Sequence, residues 1–193
     1  MPMKLHDLLT QKRSKILNRW LDLVLDNYPT DTKRFFKKRK DQFANPVGYT
    51  ISKEIENLYE ELIQGLDPER VSPILDRIIR IRAVQDCSPS QATAFIFLLK
   101  KVIREKLETE VQKSGLSDEL SIFESRIDDL ALLTFDIYMK CREKIYEIRV
   151  NEMKNQVYRL LQRANLIAEI PEWKSDPEKG DNNSNQLIDN ETR

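Results

Sequence analysis

A few polar side chains fall where the helical pattern of the sequence predicts a buried face. On a helical wheel at 100° per residue, the apolar residues between Ile74 and Ile81 form one broad arc. Arg82 and Gln85 fall inside that arc, and Asp86 lies at its edge. Burying an arginine and an amide without partners is energetically costly. These side chains are therefore paired, lie at the solvent end of the arc, or contact a ligand.

Two interpretations of these polar residues stay open. In the structural one, Arg82 pairs with Asp86 four residues on, or caps carbonyl groups at the end of its helix. In the functional one, four neighbouring residues bind a small apolar ligand or a partner protein. This candidate binding set consists of Arg80, Arg82, Gln85 and Asp86.

The sequence offers little else that could do chemistry. His6 is the only histidine, so Ser-His-Asp and Cys-His arrangements and zinc sites lack their ligands or bases. No glycine-rich phosphate loop occurs. The carboxylate pair Asp128-Asp129 is adjacent in sequence, so its two side chains point apart on a helix. The sequence predicts a non-enzymatic protein with no catalytic residues, no metal site and no cofactor.

Charge argues against nucleic acid and membranes as partners. The chain has 32 basic and 32 acidic residues, so its total charge gives no general attraction to anions. The basic run Lys33–Lys40 could hold phosphates, with Phe35 and Phe36 stacking on bases, but no second basic surface supports it. No stretch approaches the length of a membrane-spanning helix. Nucleic-acid binding is kept as the weaker alternative.

The two cysteines, Cys87 and Cys141, lie far apart and match no metal-ligand spacing. The N-terminus has no signal-like apolar run. We therefore predict two free thiols, both small core residues, in a protein of the reducing cytoplasm.

The elements that position these residues are predicted to be helices. Apolar residues spaced three and four apart predict a first helix from Leu5 to Asn27, and no strand-like alternation occurs anywhere. Several helix starts carry a capping residue followed by proline, whose missing N–H costs nothing at the first helical position. These starts are Asn45-Pro46, Asp67-Pro68, Ser72-Pro73 and Ser88-Pro89, the last with Gln91 completing a capping box. The fold class is all-α.

The last predicted helix is longer than its own domain. It runs from Ser117 to about Leu166, which is roughly 75 Å at 1.5 Å per residue. A domain of that size is only about 35–40 Å across. From Tyr146 a heptad pattern begins, which predicts a coiled coil with a second chain or, alternatively, a segment folded back on its own domain. Its core positions are Tyr146, Val150, Met153, Val157, Leu160, Ala164 and Ile167.

We therefore predict three regions. Residues 1–145 form a helical domain, 146–168 a dimerisation or signalling helix, and 169–193 a disordered polar tail. Whether the paired helices run parallel or antiparallel is left open.

Two stretches resemble a known family. "KDQFANPVGYTI" (Lys40–Ile51) and "LDRIIRIRAVQDCSPSQATAFIFLLKKVIREKL" (Leu75–Leu107) are similar to the RsbRD N-terminal domain, with Trp20 and Pro29 upstream. This is the sensor half of co-antagonists of the RsbT kinase in bacterial stress-response complexes. The resemblance implies a globin-like domain that usually lacks haem, forms a dimer, and is linked by its C-terminal helix to a STAS output domain.

Function follows from this resemblance as an expectation. The STAS domain is absent from the sequence, so we expect a stand-alone sensory or adaptor module that signals by dimerisation and by binding a partner protein or small ligand. The alternative is a ligand-carrying protein, including a haem protein. The helix before Cys87 lacks the histidine that a haem globin places there, and Cys87 is the only soft ligand nearby.

Overall fold

The structure is a computed structural model that describes residues 4–26, 33–34, 36, 42–85 and 87–164. The helices bounded within these residues are α1 (Leu5–Gln11), α2 (Arg13–Leu25), α3 (Pro46–Gln64), α4 (Pro68–Val84), α5 (Pro89–Ser114) and α6 (Ser117–Arg163). No strand occurs in the described residues. The predicted all-α fold class is confirmed.

The chain divides into two compact units, Met1–Glu147 and Ile148–Arg193. In the first unit, α2 packs against α3 and α5, and α4 packs against α3 and α5. These helices bury an apolar core because each presents residues three and four apart on one face. The largest fully buried side chains include Trp20, Tyr59, Phe95, Tyr138, Ile51 and Leu75.

The predicted first helix, Leu5–Asn27, is wrong as one element, because the helix is interrupted at Lys12, between α1 and α2. Lys12 has φ −96° and ψ 9°, outside helical values. Its ammonium group donates to the carbonyl of Lys106 at 2.9 Å and forms an ion pair with Glu110. The break therefore coincides with a long-range contact to α5 that the periodicity of the sequence does not record.

Asn45 caps α3. Its Oδ1 accepts a hydrogen bond from the Gly48 amide at 2.9 Å, and Pro46 occupies the first helical turn. Asn45 is buried, and a Cβ added at Gly48 would collide with its side chain. Any larger residue at position 48 would push the capping amide away from the helix end.

The helix α4 begins at Pro68, where the Asp67 carboxylate accepts from the Glu69 amide at 3.0 Å. The predicted start at Ser72-Pro73 is wrong, since Pro73 lies inside α4. The Ser72 hydroxyl donates back to the Pro68 carbonyl at 2.6 Å instead of capping a new helix. Pro68 occupies the first helical position, where a missing amide donor is tolerated. Pro73 lies beyond the first turn, so the Glu69 carbonyl lacks the amide donor that another residue type would supply there.

The helix α5 begins with a reciprocal capping box. The Ser88 hydroxyl accepts from the Gln91 amide at 3.3 Å, and the Gln91 side-chain oxygen accepts from the Ser88 amide at 2.9 Å. Pro89 occupies the first turn. The helix ends at Gly115, whose φ of +67° is the left-handed conformation that glycine adopts without strain.

In the first unit, α6 buries one face, formed by Phe123, Ile127, Leu130, Thr134 and Tyr138. Residues 148–164 belong to the second unit, and every one of them is exposed. The predicted polar tail, 169–193, lies outside the described residues. So does the greater part of the basic run Lys33–Lys40, of which only positions 33, 34 and 36 are described.

Candidate functional site

The last residues of α4 and the short connection that follows them are here called the α4–α5 joint, which comprises residues 80–88. Gln85 ends α4, with its amide donating to the Ile81 carbonyl at 3.2 Å, and its side chain is exposed. The Cys87 amide then donates to the Arg82 carbonyl at 3.4 Å. Asp86, the fourth residue of the candidate binding set, lies outside the described residues. The connection from Val84, the last residue of α4, to Pro89, the first residue of α5, therefore takes only four residues.

Arg82 belongs to the joint, and its side chain points into the core and is only 3% exposed. Its Nη1 donates to the Gln91 carbonyl, on the first turn of α5, at 3.2 Å. Its guanidinium lies 5.0 Å from the centre of the Phe95 ring. A desolvated cation over an aromatic face gains about 2 kcal/mol, which offsets part of the cost of its burial. Arg82 therefore ties the end of α4 to the start of α5.

The Phe95 ring also packs against Trp20. It stacks on Trp20 with ring centres 6.4 Å apart and an interplanar angle of 11°. The indole Nε1 of Trp20 donates to the Phe95 carbonyl at 2.7 Å, so this buried polar group is satisfied. Arg82, Phe95 and Trp20 are thereby linked across α4, α5 and α2.

Arg80 takes the opposite direction, with its side chain 73% exposed. Its Nε donates to Asp76 Oδ2 at 2.6 Å, and this hydrogen bond is the main reason that the pKa of Arg80 is raised. The other oxygen of Asp76 lies 3.9 Å from the Cys141 sulfur on α6. Burial first, and the Asp76 charge second, raise the pKa of the Cys141 thiol. Arg80 and Arg82 are therefore separated, one at the surface and one in the core.

Two residues of α6 that sequence reasoning missed hold the joint in place. The Tyr138 hydroxyl donates to the Cys87 carbonyl, and Arg142 Nη1 donates to the Ala83 carbonyl at 3.2 Å. The last carbonyls of a helix lack partners within it, so a cation beside Ala83 satisfies one of them. The sequence carried one weak signal, namely that Tyr138 and Arg142 are four residues apart and share a helix face.

The buried carboxylates lie away from the joint. Glu54 is 6% exposed, and both of its oxygens accept from Arg77, at 2.7 and 2.9 Å. Glu124 is held in the same two-pronged way by Arg104, with Nη2 to Oε2 at 2.6 Å. In each pair the arginine side chain reaches solvent. These pairs join α3 to α4 and α5 to α6, which is a structural role.

A cavity of about 380 Å³ opens at the surface between the second half of α5 and the start of α6. Its walls include Arg104, Glu108, Leu120 and Glu124. Arg104 and Glu124 are paired with each other, but Glu105 and Glu108 also line the cavity, so its walls carry more acidic than basic side chains. The described members of the candidate binding set, Arg80, Arg82 and Gln85, do not line it.

The comparisons with known proteins give the family. Residues 14–153 match the family of the RsbT co-antagonist protein rsbRD N-terminal domain. The chain belongs to this family. The match runs from the start of α2 to beyond Tyr146 and contains the joint together with Tyr138 and Arg142. The RsbRD N-terminal domain family suggests a stress-signalling sensor module.

The chain is also similar to an uncharacterized protein of Archaeoglobus fulgidus. The two are 28% identical over 141 residues, which cover 72% of this chain and 83% of the relative. No solved structure matches the chain.

The described residues contain neither a metal-binding cluster nor a helix suited to spanning a membrane. No group of three or more histidine, cysteine or acidic side chains in them is arranged to hold a metal ion. No helix among them combines the length and the apolar character that crossing a membrane requires.

Proposed function

We propose that this RsbRD N-terminal domain protein is a non-enzymatic sensory or adaptor module of stress signalling. In this proposal it is a cytoplasmic homodimer that binds a partner protein or a small ligand at the α4–α5 joint. Arg80, Arg82, Gln85 and Asp86 form the binding set, and the helix beyond Tyr146 carries the response to the second chain.

The arrangement of the joint is the observation that carries the proposal. Arg80 and Gln85 lie exposed on the last turns of α4, where an approaching partner can contact them. Arg82 lies between them in the sequence, and its buried side chain fixes α4 to α5 through the Gln91 carbonyl. A partner that binds the exposed residues would therefore act on a helix junction, which is the kind of element that can take two positions.

The exposed apolar side chains support the dimer. In the first unit, α6 leaves Leu132, Phe135, Met139 and Tyr146 exposed, the first of them by 68%. Their spacing of three, four and seven places them on one helix face. In the second unit, Val150, Met153, Val157 and Leu160 are all exposed at heptad spacing. Apolar side chains repeated in this way on a helix indicate a protein partner, and we propose a second copy of the chain.

The test compares two exposed arginines. Arg80→Ala combined with Gln85→Ala removes the exposed half of the binding set, and Arg70→Ala removes an arginine that pairs with Glu61 elsewhere on the surface. Tagged wild-type and variant proteins are used to capture partners from native extract, followed by mass spectrometry. We expect proteins retained by wild type and Arg70→Ala to be lost from the double variant. Equal retention by all three would contradict binding at the joint.

The alternative of a haem carrier is decided by light absorption. The protein purified from native extract should show no Soret band if signalling by partner binding is its function. A Soret band of stoichiometric intensity would replace the proposal with ligand carriage.

A further inference from the structure

Arg142 contacts both the α4–α5 joint and the residue at which the heptad pattern begins. Its Nη1 donates to the Ala83 carbonyl at the end of α4, at 3.2 Å. Its Nη2 donates to the Tyr146 hydroxyl at 2.9 Å, and the guanidinium lies 5.0 Å from the centre of the Tyr146 ring. One side chain therefore joins the end of α4 to Tyr146, one turn further along α6.

We propose that Arg142 is a positioning residue that couples the conformation of the α4–α5 joint to the orientation of the Tyr146 ring. This inference rests on the proposed function, in which the joint receives the signal and the helix beyond Tyr146 passes it on. It adds the connection between the two, which neither the proposed binding set nor the heptad pattern contains.

The chemistry of arginine suits this connection. The guanidinium is a rigid fork with five N–H donors, so it can hold a backbone carbonyl and a phenol oxygen at the same time. Hydrogen bonds from a charged donor are roughly twice as strong as neutral ones. A shift of the Ala83 carbonyl therefore draws the guanidinium with it, and the same guanidinium sets the position of the Tyr146 hydroxyl.

Tyr138 supplies the fixed point for this movement. It lies four residues before Arg142 on the same face of α6, is buried, and donates to the Cys87 carbonyl on the far side of the joint. Tyr146, by contrast, is 52% exposed, so the core does not hold its ring. Two adjacent turns of α6 thus hold the joint, and the next turn carries a side chain that is able to reorient.

The experiment measures the fluorine NMR signal of the Tyr146 ring in the full chain. The protein is labelled with 3-fluorotyrosine, and the Tyr146 signal among the six tyrosines is assigned in the fluorine NMR spectrum with Tyr146→Phe. Tyr138→Phe then releases the Cys87 carbonyl and loosens the joint without removing Arg142 or Tyr146. We expect it to shift the Tyr146 signal when Arg142 is present and to leave that signal in place in the Arg142→Gln background.

The matched control is Thr134→Val, which removes another buried hydroxyl from α6. Thr134 donates to the Leu130 carbonyl within α6 itself and not to a carbonyl of the joint, so Tyr146 should keep its signal. If Tyr138→Phe lowers far-UV helicity, Ser88→Ala loosens the joint instead, because it removes the hydroxyl that accepts from the Gln91 amide in the exposed capping box of α5.

Two results would overturn the inference. One is an unchanged Tyr146 signal when the joint is loosened, and the other is an equal shift with and without Arg142. No partner is present in this measurement, so its outcome is independent of partner capture. Coupling without partner binding would refute the proposed function alone, and partner binding without coupling would refute this inference alone.

Discussion

The α4–α5 joint and the segment from Tyr146 to Leu160 depart from the usual distribution of side chains in opposite directions. At the joint, the guanidinium of Arg82 is buried against the Phe95 ring. Along the segment, apolar side chains such as Met153 and Leu160 are exposed. Buried charges and large exposed apolar patches are the two departures that carry information, because isolated exposed apolar residues are common.

The two regions differ in where their side chains find contacts. The buried cation finds its carbonyl and its aromatic ring within its own chain, at Gln91 and Phe95. The exposed heptad positions would lose contact with water only when another surface covers them. The first region is therefore tested by measuring the stability of the fold, and the second by measuring self-association.

The largest effect is expected for self-association. Met153→Glu with Val157→Glu places charges at two core positions of the predicted helix pair. Each unpaired charge buried in such a contact costs about 2 kcal/mol or more, and a dimer would bury four of them, so the dissociation constant should rise by about a millionfold. Sedimentation velocity should show a dimer for wild type and a monomer for the variant.

The matched control for this prediction is Asn155→Glu. At 100° per residue, position 155 lies on the face opposite the apolar stripe, and it is exposed. It should leave the dimer intact. A double variant that still sediments as a dimer would refute the predicted pairing through this helix.

A smaller effect is expected at Arg82. Arg82→Ala leaves a cavity beside Phe95 and should lower the free energy of unfolding by about 2–4 kcal/mol, measured by urea denaturation. Arg82→Met restores most of the volume without the charge, and replacing a buried charge by a well-packed apolar side chain is often nearly neutral. We expect its cost to be about 1 kcal/mol or less. Equal losses in both variants would show that the charge, and not the volume, stabilises the joint.

Substitutions of Arg77 and Arg80, the two arginines of α4 that pair with carboxylates, should change the free energy of unfolding by smaller amounts. Arg77→Gln takes the guanidinium away from the buried Glu54 carboxylate, leaving Asn57 as a donor at 3.1 Å. The unfolding free energy should fall by about 1 kcal/mol, since solvent screens the half-exposed Arg77. Arg80→Gln breaks a pair that lies in solvent, and we expect no measurable change. A loss at Arg80 as large as at Arg77 would mean that burial of the carboxylate does not set the cost.

The smallest effect concerns the Cys141 thiol. Because burial and the Asp76 carboxylate raise its pKa, less thiolate is present near neutral pH. Alkylation by iodoacetamide, followed by mass spectrometry of the Cys141 peptide, should be slower than in the unfolded chain. It should become faster in Asp76→Asn, which removes one cause of the shift. An unchanged rate in Asp76→Asn would leave burial as the sole cause.

The sign of the corresponding pH effect follows from the same shift. The thiol pKa is raised in the folded chain, so the protonated thiol is favoured by folding. Its contribution to stability is therefore complete below the ordinary thiol pKa and is lost as the pH rises through the raised value.

Helix starts could be read from the sequence where a local contact forms them. Each capping side chain accepts from an amide three residues further along the chain, Asn45 from Gly48 and Ser88 from Gln91. The residue types therefore suffice to place those helix starts. The same pattern failed at Ser72-Pro73, because α4 has already begun at Pro68 and continues through Pro73. The break at Lys12 was missed, since its partners on α5 are more than ninety residues away in sequence.

The candidate site shows the same limit. The polar residues on the apolar arc identified the end of α4, but the sequence could not separate the buried Arg82 from the exposed Arg80. It also missed Tyr138 and Arg142, because their roles depend on which carbonyls α6 passes. The exposed face from Leu132 to Met139 was missed for a related reason, since an apolar residue on a helix reads as core until its neighbours are known.

The sequence by itself determined the all-α class, the helix starts at Asn45-Pro46 and Ser88-Pro89, and the heptad pattern from Tyr146. Each of these depends on residues within a few positions of one another. The tertiary structure alone decided where α6 meets the α4–α5 joint. That placement brings the Arg142 guanidinium to the Ala83 carbonyl, across 59 positions of the sequence. Its physical reason is the common core of the helices, because burial of apolar surface fixes which helix faces meet and carries their polar side chains with them.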